Sequence, residues 1–336
     1  MIENIQISLQ DWKKCLAYCT EDYNIYAPVS DNTLEYELIS KDRVGEIAYN
    51  IPKTISPLKS FFLPFKESVT CEIISDKNNL IIGVPSCDLT ALDILDEIYM
   101  QEPYIDPYYK SRRDNSVLIG TDCYSIMEHC HCNTYNLKAY PFKNFDVSLS
   151  LIEDSVLLLV NSEKGMNFIE FIKKHGKCKK PENQYLELIN EFRATVEGLL
   201  TEQNKDLPDY TETGQIVSET EYPVWAKYSK SCVSCGACST ICPTCTCFLL
   251  ADSPNFGKVR LNDTCQHPGF ALIAAGEDQL GDLPLRFRNR YLCKYVWKPE
   301  KFKSVACTGC GRCIETCIGN INKNKLFVEQ AKLITH

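Results

Sequence analysis

The apolar positions follow two regimes along the chain. Up to about residue 200, short continuous apolar runs bounded by turn residues alternate with stretches of helical period. Leu80–Pro85 (LIIGVP) and Val117–Thr121 (VLIGT) read as buried strands. Between them, Leu89–Gln101 sets Leu92, Leu95, Ile98 and Tyr99 on one helical face, with Asp88 as the predicted N-cap. Val156–Val160 reads as a further strand. Asn183–Leu200 carries Ile189, Phe192, Val196 and Leu199 at helical spacing, a helix with one buried face. This series predicts an α/β domain over residues 1–200.

The pattern then changes. Thr201–Tyr222 holds six acids, one base and almost no large aliphatics, which predicts an exposed acidic connector over residues 201–222. Beyond it, Pro268–Gly276 and Leu285–Lys294 read as helical, so residues 223–336 are expected to form an α-helical domain. Arg286–Lys303 sets seven bases against the single acid Glu300, which predicts a basic face for docking an acidic partner.

The net charge of −8 gives no electrostatic ground for holding a phosphate backbone, so nucleic acid is not an expected partner. No apolar run approaches the ~18 to 20 residues that cross a bilayer. The start MIENIQISLQDWKK lacks a basic stretch followed by an apolar block, and a cytoplasmic location is expected. Cysteine is the anomaly: of 20, 12 lie between Cys232 and Cys317, in a chain too long to need disulfides. Thiolates for metal are the natural reading.

Two segments share one spacing: Cys232-x2-Cys235-x2-Cys238-x3-Cys242-Pro243 and Cys307-x2-Cys310-x2-Cys313-x3-Cys317. Three thiols on a tight loop can grip three irons of one cubane while the fourth points at a neighbouring cluster. Two [4Fe–4S] clusters are therefore expected. One takes Cys232, Cys235, Cys238 and Cys317; the other takes Cys307, Cys310, Cys313 and Cys242. Gly236, Gly309 and Gly311 suit loops that need positive φ. Zinc is the alternative occupant, but its shells are normally built from two separated pairs. Ile318 stands where proline would often follow the second motif, which predicts a different exit from that loop. The 64 residues between the motifs separate this chain from a small two-cluster ferredoxin, and with the helical segments between them residues 223–336 are expected to be an α-helical ferredoxin-type domain holding both clusters.

The remaining cysteines suggest further sites. Cys87 and Cys123 end the two predicted strands, and would emerge side by side if those strands pair in parallel. Cys130-x-Cys132 follows closely enough to fold back on them. These four could hold a third cluster, with Asp88 as an alternative oxygen ligand. Cys245, Cys247 and Cys265 make an incomplete fourth shell that Cys293, His267 or Asp263 could complete. Cys15, Cys19, Cys71 and Cys178 read as ordinary structural thiols, and His129, His131 and His267 as hydrogen-bonding residues near the sites.

Taken together, these residues resemble an iron–sulfur protein family shared by two kinds of enzyme complex: the anaerobic sulfite reductases and, as the beta subunit, the sulfhydrogenase-type nickel–iron hydrogenases. The resemblance rests on Tyr23–Val29, Ser56–Pro64, Gly83–Tyr99 and Asp106–Cys123 followed by CHC. In the second half it rests on Cys232–Phe248, Asp263–Phe270, Arg286–Phe302 and Cys307–Cys317. It implies an electron-transfer subunit of an anaerobic oxidoreductase complex. A flavoprotein subunit that binds NAD(P)H would lie on one side, and a catalytic subunit of sulfite reductase or NiFe hydrogenase type on the other. The chain shows no GxGxxG after a strand, no P-loop and no nucleophile–base pair, which suits a relay. Two alternatives are a cluster-based redox sensor, for which no DNA- or ligand-binding module is legible, and a structural zinc scaffold.

Overall fold

A computed structural model describes residues 4–29, 34–70 and 77–334. Cys71 lies outside the described residues. The strands are β1 Asn4–Ser8, β2 Tyr23–Pro28, β3 Tyr36–Ile39, β4 Lys66–Ser68, β5 Asn78–Val84, β6 Ser116–Thr121, β7 Val147–Ile152, β8 Ser155–Val160, β9 Cys178–Lys179, β10 Phe248–Ser253 and β11 Gly257–Asn262. Eight of them form one sheet in the order β3-β2-β5-β6-β7-β8-β1-β9. Its middle, β2-β5-β6-β7, is parallel, and its flanks are antiparallel.

The sheet is covered on both faces, which is why LIIGV and VLIGT read as unbroken apolar runs. Leu80, Ile82, Val117 and Ile119 pack on one side with Trp12, Leu16 and Phe168. Ile81, Leu118, Leu89, Leu92 and Tyr109 pack on the other. Cys15 and Cys19 are fully buried in the first of these layers, and burial pushes the Cys15 thiol up to about 11.

Five expectations need correction. The helix after β5 runs from Ser86 to Tyr99 with Pro85 at its N-cap, so Asp88 sits inside the first turn and is not the cap. In the Asn183–Gln203 helix the buried stripe is Ile189, Val196 and Leu200, while Phe192 and Leu199 are about half exposed. Pro268–Gly276 is a run of turns and not a helix.

The fourth concerns the acidic stretch, which is not merely a connector. Tyr210–Glu219 is a helix whose Thr213, Ile216 and Val217 are buried. Two of the acids that suggested a solvated segment, Asp209 and Glu212, form a reciprocal capping box at its start. Ile216 and Val217 join Trp225, Phe287, Tyr291, Tyr295 and Phe327 in an aromatic core, to which the first half contributes Tyr135.

The second half is not wholly helical either. β10 and β11 form a hairpin that pairs with β4 from the first half, with Arg260 opposite Glu67. Buried Arg260 also forms ion pairs with Glu67 and Asp106. Strand pairing, a buried charge cluster and the aromatic core thus join the two halves, and the cysteine loops lie along that junction.

Candidate metal centre

The two motifs fold alike. In each, a glycine in the left-handed region caps a one-turn helix: Gly236 (φ 73°) before Ala237–Thr240 and Gly311 (φ 77°) before Arg312–Glu315. Ser234 and Gly309, which match in spacing, also have positive φ, at 54° and 65°. Each fourth cysteine is followed by a turn, with Cys245 N donating to Cys242 O at 3.4 Å and Asn320 N donating to Cys317 O at 2.9 Å. The loop after Cys317 therefore turns as its counterpart does, although Ile318 replaces proline.

Cys242, Cys307, Cys310 and Cys313 line one small pocket together with His131, Arg290, Tyr291, Lys294, Tyr295 and Lys323. The fourth thiol of the first motif thus meets three thiols of the second. In the reciprocal direction, Cys238 lies in the field of Cys232, and Tyr291 faces Cys238 and Cys317. Ser231 Oγ donates to Gly319 O at 2.9 Å and ties the start of the first motif to the exit of the second. Cys235 is exposed, as are Val233 and Ile318, so this end of the centre reaches the surface.

The amino-terminal thiols come together where parallel β5 and β6 end. Cys123 lies in the fields of Cys132 and Cys130, and Cys87 in those of Cys310 and Cys123. Burial raises the thiols of Cys87 and Cys123, and pushes Cys132 and Cys310 up to about 12. Cys130 and Cys132 pack with Ala139, Val196 and Leu200. This group and the second motif are back to back, with His131 N donating to Gly309 O at 2.8 Å. A Cβ on Gly309 would stand 2.6 Å from the Cys132 backbone. Gly309→Ala should therefore destabilise the holoprotein by about 1–3 kcal/mol, read as a lowered thermal midpoint under anaerobic conditions. Ser234→Gly, at the matching position of the first motif where a non-glycine residue already holds positive φ, should leave that midpoint unchanged or higher.

Asp88 is not free to act as an oxygen ligand. Both of its oxygens take the Arg312 guanidinium, at 2.6 and 3.0 Å, and it also accepts from Leu58 N at 3.0 Å. It anchors the second motif to the sheet domain. Lys53, likewise buried, pairs with Glu315 at 2.8 Å and approaches Cys130 Sγ at 3.9 Å. Although burial works against its charge, the Cys130 and Cys310 thiolates and Glu315 together raise it.

His131 is fully buried in the CHC turn. Its Nδ1–H donates to His129 O at 2.7 Å, so Nε2 accepts from Lys323 Nζ at 2.9 Å. Burial first, and Lys323 second, lower its pKa far enough to keep the ring neutral. Lys323 also donates to Tyr295 Oη at 3.0 Å, a contact that sequence spacing had no means of revealing.

Around the PTCTC loop, Cys247 and Cys265 are in contact, and so are Cys242 and Cys245. The Cys247 contact pulls the Cys265 thiol down to about 5 against its burial, with Gln266, Asn289 and Arg290 assisting. The predicted basic docking face is overturned here. Of the seven bases in Arg286–Lys303, Arg286, Arg290, Lys294 and Lys298 are buried. Three of these four reach this loop and its neighbours, so the stretch faces inward onto the cysteines.

Among the described residues, no three Cys, His, Asp or Glu side chains converge as closely as the ligands of one ion do. A cubane instead spreads its thiolates over separate corners. The buried cations supply the test of fit. Lys53, Arg260 and Arg312 each have a carboxylate, whereas Lys59, Arg290, Lys294 and Lys298 bond only to neutral groups among the described residues. Buried charge needs a counter-charge, and thiolate-bound clusters, which are net anions, supply one.

Geometry and donor set thus define an iron–sulfur protein, and residues 231–321 match the 4Fe-4S dicluster domain family, which indicates at least two [4Fe–4S] clusters. Over 319 residues the chain is 30% identical to sulfhydrogenase 2 subunit beta of Pyrococcus furiosus, covering 91% of this chain and 91% of that protein. The chain belongs to the iron–sulfur family of sulfhydrogenase-type beta subunits. No helix among the described residues is long and apolar enough to cross a membrane.

Proposed function

We propose that this chain relays single electrons inside an anaerobic hetero-oligomeric oxidoreductase, between a flavoprotein subunit that binds NAD(P)H and a catalytic subunit of sulfite reductase or NiFe hydrogenase type. The observation that carries this reading is the shared cavity of Cys242, Cys307, Cys310 and Cys313, because a thiol exchanged between two motifs sets two clusters side by side. In this reading one cluster is held by Cys307, Cys310, Cys313 and Cys242, and the other by Cys232, Cys235, Cys238 and Cys317. The clusters supply one-electron chemistry at potentials set by their surroundings.

The chain's own groups do the rest. Tyr291 and Tyr295 keep water from the cavity, Lys323 and Arg290 offset thiolate charge, and the Arg312–Asp88 pair fixes the loop against the sheet. Cys87, Cys123, Cys130 and Cys132 are proposed as a third site, inward of the second motif. Cys245, Cys247 and Cys265 are proposed as part of a fourth. The exposed side near Cys235 and the buried side near Cys123 would be opposite ends of one relay, and the carboxy-terminal half would act as an α-helical ferredoxin-type domain with an added hairpin.

Iron and acid-labile sulfide counted on anaerobically purified chain test this reading. About 8 iron per chain corresponds to the two motif shells, ~12 adds the amino-terminal site and ~16 adds the fourth. The last of these is the expected result. Zinc without sulfide, or stoichiometric flavin with NAD(P)H oxidation by the isolated chain, would overturn the relay.

A further inference from the structure

Resting on the relay reading, we propose that Cys293 completes the fourth shell, so that Cys245, Cys247, Cys265 and Cys293 hold a [4Fe–4S] cluster whose charge is balanced by a cage of buried cations. Lys59, Arg290, Lys294 and Lys298 are 3%, 7%, 3% and 9% exposed. Lys59 Nζ donates to Thr240 O and to Cys245 O, both at 3.1 Å. Lys298 Nζ donates to Thr244 O at 2.6 Å and Thr246 Oγ1 at 3.2 Å, and Lys294 Nζ to Thr244 Oγ1. Arg290 donates to Cys238 O at 3.3 Å and keeps a buried Nε with no partner. Three lysines therefore bond to the single loop Pro243–Cys247, which carries Cys245 and Cys247, and Arg290 lies in the field of Cys245 beside it.

A cubane with four thiolates carries a net charge of about −2, so the cluster that includes Cys242 leaves part of the charge of the three lysines uncompensated, while Arg290 is shared with Cys238 of the first motif. A second cluster on the same loop balances it. Of the three groups that could complete its shell, two are turned elsewhere. Asp263 Oδ1 takes His267 Nδ1 at 2.7 Å and the N–H of Thr264 at 2.7 Å. The other nitrogen of His267 lies against Gly236 in the first motif.

Cys293 is placed differently. It opens a five-residue π-helical segment, Cys293–Trp297, in the helix that carries three of the four cations. Such insertions recur at functional sites because they re-aim side chains. Gln266 ties Cys265 to this same helix, donating to Cys265 Sγ at 3.4 Å and Arg286 O at 2.6 Å. Asn289, one turn before Cys293, touches Cys265, and Cys293 and Cys245 act together on both Lys294 and Lys298.

The test uses the full chain, purified anaerobically, with iron and sulfide counts and electron paramagnetic resonance of the reduced protein. Cys293→Ala should lose about four iron and one signal. Cys293→Asp, which keeps a ligand, should retain the iron with an altered signal, and His267→Ala should change neither. Cys313→Ser is the control for the motif clusters. Full iron in Cys293→Ala alongside loss in Cys313→Ser overturns this assignment and leaves the relay standing. Full iron in both overturns the two together. Lys298→Met leaves every thiol in place and should shift one midpoint to lower potential in a redox titration, whereas unshifted midpoints in a fully loaded variant would overturn the cage.

Discussion

Cys310→Ser is expected to remove about one cubane's worth of iron, roughly four atoms, and to abolish electron transfer through the chain. Cys310 is an interior thiol of its loop. It lines the cavity with Cys242, Cys307 and Cys313 and lies in the field of Cys87 at the amino-terminal group. Losing it would break the relay in the middle and not at an end. Serine preserves the volume but is a poor ligand for iron at neutral pH. The readout is twofold: iron per chain, and reduction of the remaining clusters by a low-potential donor while transfer between reconstituted partner subunits is lost. Unchanged iron together with unchanged transfer would contradict the ligand assignment. A serine at Cys178, on the edge strand β9 and outside both motifs, should change neither.

Arg312→Met should destabilise the protein by about 3–5 kcal/mol, the usual consequence of stripping one partner from a buried ion pair. The Arg312 and Asp88 side chains are 3% and 0% exposed, and the contact is bidentate. Without the guanidinium, Asp88 would be left charged in the core beneath Cys87, and the second motif would lose its tie to the sheet. Anaerobic urea denaturation of the holoprotein measures this as a lowered midpoint. Arg312→Met combined with Asp88→Asn should recover part of the loss, because the amide is far less costly to bury than an unpaired carboxylate. If the single variant is as stable as the wild type, the pair does not anchor the two halves.

How much of this was legible in the sequence depended on range. The parallel strands announced themselves because burial on both faces leaves an unbroken apolar run, as LIIGV and VLIGT show, and their pairing puts Cys87 and Cys123 at neighbouring ends. The cysteine motifs were equally plain, since a tight loop fixes the spacing of its own thiols. The acidic stretch misled because Asp209 and Glu212 satisfy each other's backbone at a helix start, so that acids belong to an ordered turn packed on an aromatic core. The Asp209-x-x-Glu212 spacing is a local sign of a helix start, but only the packing of Ile216 and Val217 in one core with Trp225 and Phe287 makes that helix part of the interior.

The basic stretch is the sharper lesson. Arg290, Lys294 and Lys298 recur four residues apart, which sets them on one side of a helix, and the sequence alone carried that much. Whether that side meets water or a cysteine loop is decided by what packs across from it, about 40 or more residues away in the chain. The same holds for Asp88, a plausible ligand by position until Arg312 arrives from the far end of the molecule. The sequence by itself determined the number and spacing of thiols, three of the eight strands of the large sheet and the family. The tertiary structure alone decided which thiols share a cavity and which charges are buried with them, because electrostatic compensation in a low-dielectric interior is a property of neighbours in space and leaves no periodic signal along the chain.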